Sequence, residues 1–156
     1  MALDKNSLDD KQPAFPVIAI FDDMFSINYE EDYSKTFRWG LKELEQHDLY
    51  DQDGYLWNVK LHLKNKSKFE VIKKLLFWFK KVSVIATWNR VRNYELIELK
   101  NQISNAIDND DDVLTQFVEG EEFKRKVSGC NSYAQLIRLI DVAVINFDQE
   151  RFMDFT

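Results

Sequence analysis

The sequence predicts an α+β domain, a small, mostly antiparallel or mixed sheet of three to four strands covered by about five helices, with the C-terminal half helical. Three observations predict it. Tyr55 to Lys64 alternates apolar and polar residues, the period of a half-buried strand. Pro16 to Phe21 (PVIAIF) is a short unbroken apolar run, suited to a buried strand. Beyond Asn89 the apolar spacing becomes helical. The strand–helix–strand–helix–strand order of the first half also suits a small α/β sheet, which stands as the alternative.

The elements follow in order. Residues 1–12 read as a flexible polar tail. Pro16 is tolerated at the first position of the first strand, and Met24 to Tyr29 extends it as a second. Tyr33, Phe37, Leu41 and Leu44 share one helix face, with Asp32 as N-cap. Asp51-Gln52-Asp53-Gly54 is a turn, because Asp bonds its own backbone and Gly supplies positive φ. In the strand it launches, Tyr55, Trp57, Val59, Leu61 and Leu63 point one way, and Asn58, Lys60, His62 and Lys64 the other. Ser67-Lys68-Phe69-Glu70 is a capping box opening a helix with Ile72, Leu75, Leu76 and Phe79 inward. Val82 to Trp88 is β-branched and reads as a strand. Helices are then expected over Arg92–Ile107, over Val113–Val118 and between Gly120 and Gly129. A second capping box, Ser132 to Gln135, opens a helix through Ile145 that should be the most buried. The Phe-bearing tail from Asn146 is expected to dock on the domain.

At 156 residues one domain spans 1–156, long enough for a core without metal or disulfide. The apolar fraction of 45% excludes a disordered chain. Cys130 is the only cysteine, so no internal disulfide forms, and a lone thiol suits a reducing cytoplasm. Met1 to Lys11 lacks the apolar core of a signal peptide. Apolar runs such as Val142 to Ile145 fall far short of the ~20 residues that span a bilayer. The expected location is cytoplasmic, with no membrane partner.

Charge is segregated. Residues 1–57 hold thirteen acidic and five basic groups, residues 58–92 hold ten basic groups against Glu70, and residues 93–156 hold thirteen acidic and six basic. The arrangement fits either a charged partner or segments that balance each other across one surface.

Catalytic patterns fail at named positions. Asp22 and Asp23 end a strand like the acidic pair of a receiver domain, but no Asp occurs between Gly54 and Asp108 to accept phosphate. A phosphatase pattern needs a second Asp where Met24 stands. Calcium loops fail as well, since counting from Asp108 puts Val113 where an EF-hand requires Gly. Cys130 precedes a helix N-terminus, but nothing in the sequence places His47 or His62 beside it as a base. No phosphate-binding glycine loop is present. No catalytic residue, cofactor or metal is expected.

Two binding surfaces remain. The basic 58–92 segment interleaves cations with Trp57, Phe69, Phe77, Trp78 and Trp88, as a single-stranded nucleic acid requires. The overall pI near 5.0 argues against it. The acidic clusters Glu30, Glu31 and Asp32, then Asp108, Asp110, Asp111 and Asp112, then Glu119, Glu121 and Glu122 are candidates for contact with a basic protein. Acidic clusters steer association with a cation, and aromatics among them anchor it.

With its aromatic, acidic character and the turn-to-strand entry Asp53-Gly54-Tyr55-Leu56-Trp57-Asn58-Val59, the chain resembles bacterial immunity proteins of contact-dependent growth inhibition and other polymorphic toxin systems. That resemblance implies an antitoxin-like function: a non-enzymatic cytoplasmic domain that neutralises a cognate toxin, commonly a nuclease, by occluding its active site. The alternatives are a non-enzymatic adaptor or phage-type accessory protein, and a nucleic-acid-binding domain using residues 58–92.

Overall fold

A computed structural model describes residues 12–22, 24–37, 40–64, 81–109 and 120–153, of which 144–153 are described by backbone alone. Its centre is a six-stranded antiparallel sheet curled into a half-barrel. The strands are β1 (Val17–Phe21), β2 (Met24–Asn28), β3 (Lys35–Phe37), β4 (Asp48–Tyr50), β5 (Tyr55–Leu63) and β6 (Lys81–Asn93), in the order β2-β1-β4-β5-β6-β3. The helices are α1 (Leu41–Leu44), α2 (Leu96–Asn109), α3 (Gly120–Gly129) and α4 (Tyr133–Met153), with a 3₁₀ turn at Glu30–Tyr33.

The expected sheet of three to four strands under about five helices is therefore wrong, and so is the α/β alternative. Every pairing is antiparallel, whereas an α/β sheet needs parallel crossovers. The strand count was too low because β3 and β4 are three residues each, too short to show a period of two. The helix expected from Tyr33 to Gln46 is a second correction. That span is divided among Tyr33 of the 3₁₀ turn, β3 and the single turn α1. The shared spacing of Tyr33, Leu41 and Leu44 arises because all three pack on the same apolar layer from different elements.

Elsewhere the elements are present with shifted ends. The helix α4, expected to be the most buried and to end at Ile145, runs instead to Met153. Of its described side chains only Leu136 and Ile140 are buried, against Leu99, Ile103, Ala106 and Ile107 in α2. β5 starts at Tyr55 as expected, and β6 runs five residues past Trp88. The helix expected from Arg92 begins at Leu96, since Arg92 and Asn93 stay in the β5–β6 ladder. Gly120 and Gly129 bound α3. At the second capping box, Ser132 Oγ accepts the Gln135 N–H at 3.3 Å, while Gln135 Oε1 accepts the Asn131 N–H at 2.6 Å. The Ser67 capping box, its helix and the helix expected at 113–118 lie outside the described residues.

Alternation divides the core in two. On one face Ile18, Ile20, Tyr50 and Leu56 meet Leu99, Ile103 and Ile107 of α2, Phe123 and Val127 of α3, and Leu136 and Ile140 of α4. On the other, Val17, Ala19, Leu49, Trp57, Val59, Leu61 and Val84 pack with Tyr33, under Phe15, Leu41 and Leu44. β1 is apolar on both faces because it lies between both layers. β5 alternates because past Leu56 only its second face is covered: Asn58, Lys60 and His62 are exposed. A hydroxyl pins the helix layer. Tyr133 Oη accepts the Ile18 N–H at 3.0 Å and lies 2.6 Å from the Tyr50 carbonyl, bridging β1 and β4. No helix among the described residues is long and apolar enough to cross a membrane.

Candidate interaction surfaces

The structure sorts the predicted acidic residues into two places. Glu30, Glu31 and Asp32 form the 3₁₀ turn after β2. Asp32 is spent on the turn itself, its carboxylate accepting the Tyr29 N–H at 2.8 Å. Tyr33 anchors the turn from beneath. Its hydroxyl accepts from Asn28 Nδ2 at 2.9 Å, and its ring meets Trp88 edge-on at 5.0 Å and Phe15 at 5.9 Å. Burial pushes the Tyr33 hydroxyl pKa well up, so it stays protonated. This anchoring leaves Tyr29 42% exposed, beside Glu30 and Glu31. Among the described residues Glu30 accepts from Gln12 Nε2 at 3.3 Å, and neither carboxylate has an ion pair there.

The second place is where α2 ends and α3 begins. Lys124 bridges Asp108 and Glu121, both at 2.6 Å, and Lys126 pairs with Glu122 at 2.7 Å. The two carboxylates raise the Lys124 pKa, and Lys126 lowers that of Glu122. These acids already have internal cations. Asp110, Asp111, Asp112 and Glu119 lie outside the described residues. Glu30 and Glu31 do not share a surface with Asp108, Glu121 and Glu122, because the 3₁₀ turn sits on the Trp57 layer and α2 and α3 form the opposite, helix layer.

The catalytic look-alikes have structural explanations. Asp22 occupies the left-handed region, φ 52°, in the tight connection between β1 and β2. Cys130 Sγ donates to the Lys126 carbonyl at 3.3 Å, and burial raises its pKa, which keeps the thiol protonated. Lys100 Nζ is committed to the Ser128 and Cys130 carbonyls at the end of α3. His47 lies against Phe21, its Nδ1 2.7 Å from the Glu43 carbonyl, and His62 is exposed on β5.

Sequence reasoning assigned Asp51 to a turn and missed how much it holds. It is 1% exposed. Its carboxylate accepts from Asp53 N at 3.0 Å, Tyr55 N at 2.8 Å and Trp57 Nε1 at 2.7 Å, while Tyr94 donates to its carbonyl. Beside it a depression of about 510 Å³ is lined by Gln12, Asp51, Asp53, Tyr55, Trp57 and Arg90. Arg90 lies over the Tyr55 ring, 4.6 Å from its centre. With its acceptors engaged, Asp51 is a structural carboxylate. The interleaved Trp57 and Trp88 both face this layer, Trp57 buried and Trp88 against Phe15 and Tyr33, so neither offers an open stacking surface to bases.

No family model matches the sequence, and no curated protein or solved structure gives a significant match.

Proposed function

We propose that this chain is a protein-binding domain of the immunity type that neutralises a cationic toxin by covering its active site, with Tyr29, Glu30 and Glu31 at the contact. The observation that carries the reading is the 3₁₀ turn, an exposed aromatic ring flanked by two carboxylates without an ion pair among the described residues, on a base fixed by Tyr33. A rigid aromatic anchor supplies contact area at low entropic cost, and exposed acids steer a basic partner toward it. The α2–α3 acids support the reading less, because Lys124 and Lys126 already neutralise those described.

Co-expression with the polypeptide encoded immediately upstream, scored by growth of the host, tests the proposal. The chain should restore growth. Glu30→Lys with Glu31→Lys should weaken the complex by about tenfold or more, since like charges then face each other. Protection undiminished in the double variant moves the contact elsewhere, and failure of the unaltered chain to protect sinks the immunity reading.

A further inference from the structure

We propose that the outer edge of β6, from Ile85 to Arg90, docks an extended segment of another protein whose side chains alternate acidic and apolar. The inference does not rest on the toxin reading above.

Among the described residues no strand lies beside this edge, although the 3₁₀ turn touches β6 and the Tyr33 and Phe15 rings pack on Trp88 on its apolar face. β3 pairs with β6 only over Lys81–Ser83, and the Val84 N–H donates to the Ser34 carbonyl at 3.0 Å just beyond. From Ile85 onward β5 is the only strand partner among the described residues. The direction of the free groups follows from alternation. Lys64 N donates to the Ser83 carbonyl, so Ser83 faces β5, and the outward Val84 N–H begins the opposite set. Ile85, Thr87 and Asn89 therefore face β5, while Ala86 and Trp88 turn their N–H and C=O groups away from it. Edges are normally blunted by proline, charge or a bulge. Ile85-Ala86-Thr87-Trp88-Asn89 contains no proline and no charge, and the register shift lies beyond it, between the Leu56–Arg92 and Trp57–Arg90 pairs.

The side chains around this edge specify the partner. Strand addition takes its affinity from main-chain bonds and its specificity from alternate side chains. On one face the added strand continues the layer of Ala86 and Trp88, which calls for apolar residues. On the other it lies beside Ile85, 52% exposed, Thr87 and Asn89, with Lys60 and His62 exposed on the neighbouring strand. On this face lie Lys60 and Lys81, which have no ion pair among the described residues, and Arg92, which pairs with Glu98. Arg90 sits opposite Trp57 on the other face, over the Tyr55 ring, and neither strand carries an acidic residue. Acidic residues complement that face. A nucleic acid would satisfy the charge but leave the N–H and C=O groups of the edge unused.

The test titrates the full ¹⁵N-labelled chain with the blocked peptide Glu-Val-Glu-Val-Glu-Val-Glu and its Lys-Val counterpart, reading amide shifts and hydrogen exchange. The acidic peptide should slow exchange at Ala86 and Trp88 at least tenfold, with little effect from the basic one. Ala86→Pro removes an outward N–H, which an edge tolerates, and should abolish binding. Lys60→Glu, a surface change that leaves the ladder intact, should weaken it at least threefold. No response at Ala86 and Trp88 to the acidic peptide overturns the proposal. So does equal binding by Lys60→Glu, or a folded Ala86→Pro that binds as well as the parent. Edge amides already protected in a chain that sediments as a dimer would give the edge to a second copy. Shifts there with a dodecathymidylate strand alone would give it to nucleic acid. Either result also overturns it.

Discussion

The two apolar layers either side of the sheet are built differently. The helix layer is mostly aliphatic, with Ile18, Leu99, Ile103, Leu136 and Ile140 interdigitating, and it reaches the sheet's polar backbone through the hydroxyls of Tyr133 and Tyr94. The opposite layer is also largely aliphatic, but it adds a cluster of touching rings, Phe15, Tyr33 and Trp88, and a Trp57 whose indole bonds a buried carboxylate, Asp51. The burial of aliphatic groups is driven by a force without direction. Tyr and Trp carry polar ends that must be satisfied when buried, so the Trp57 layer depends on a few directed bonds. That dependence also fixes the turn carrying Tyr29, Glu30 and Glu31, because the Tyr33 beneath it belongs to this layer.

The largest expected effect breaks the Trp57 layer. Asp51→Ala removes the acceptor of the Trp57 indole and of the Asp53 and Tyr55 backbone N–H groups together. Each buried donor left unsatisfied costs about 1–3 kcal/mol, so a loss of about 3–5 kcal/mol is expected. Urea denaturation measures it. A loss under 1 kcal/mol would mean water replaces the carboxylate and the layer does not hang on it. Asp51→Asn, which keeps an acceptor oxygen, should lose less.

The same contrast explains what was legible in the sequence. Aliphatic burial writes a pattern in the sequence: β5 and α2 show it as a period and β1 as an unbroken apolar run, while α3 is marked by the glycines at its two ends. A short strand held by its neighbours writes no such pattern, so β3 and β4 went unseen. Tyr33, Leu41 and Leu44 gave a false helical period because tertiary packing, and not one element, brings them together. Of the candidate site residues, sequence placed Glu30, Glu31 and Asp32 in one cluster correctly. It had no means of seeing that Asp32 accepts the Tyr29 N–H of its own turn or that Lys124 neutralises Asp108, since these depend on orientation and on a contact 16 residues apart. Glu121 and Lys124, by contrast, stand three apart on α3, a spacing the sequence does display. The outer edge of β6 was invisible, because strand order is a property of the whole sheet.

An intermediate effect tests the helix layer. Tyr133→Phe keeps the ring but leaves the Ile18 N–H without its acceptor and the Tyr50 carbonyl without the bridging hydroxyl, an expected loss of about 1–3 kcal/mol. Native-state hydrogen exchange should show Ile18 opening sooner while Trp57 and Val59 on β5 stay protected. Equal loss at both would show that the two layers open as one unit, and the contrast between them would be structural only.

The smallest effect is electrostatic and lies at the start of β4. The Asp48 carboxyl is held above its ordinary value near 3.8, first by desolvation and then by Glu98, against the opposing pull of Arg92 and His47. A carboxyl whose pKa is raised on folding binds its proton more tightly in the native state. Its ionisation therefore works against folding, and its contribution to stability falls as pH rises from the unfolded pKa through the raised folded one. Asp48→Asn, which resembles the protonated acid, should match the parent below that window and exceed it above. Urea midpoints from pH 3 to pH 7 measure the gap. Because desolvation leads, the gap should persist when salt is raised. If it closes instead, repulsion from Glu98 is the larger cause, since salt screens charge–charge interaction at a surface far more than it relieves burial.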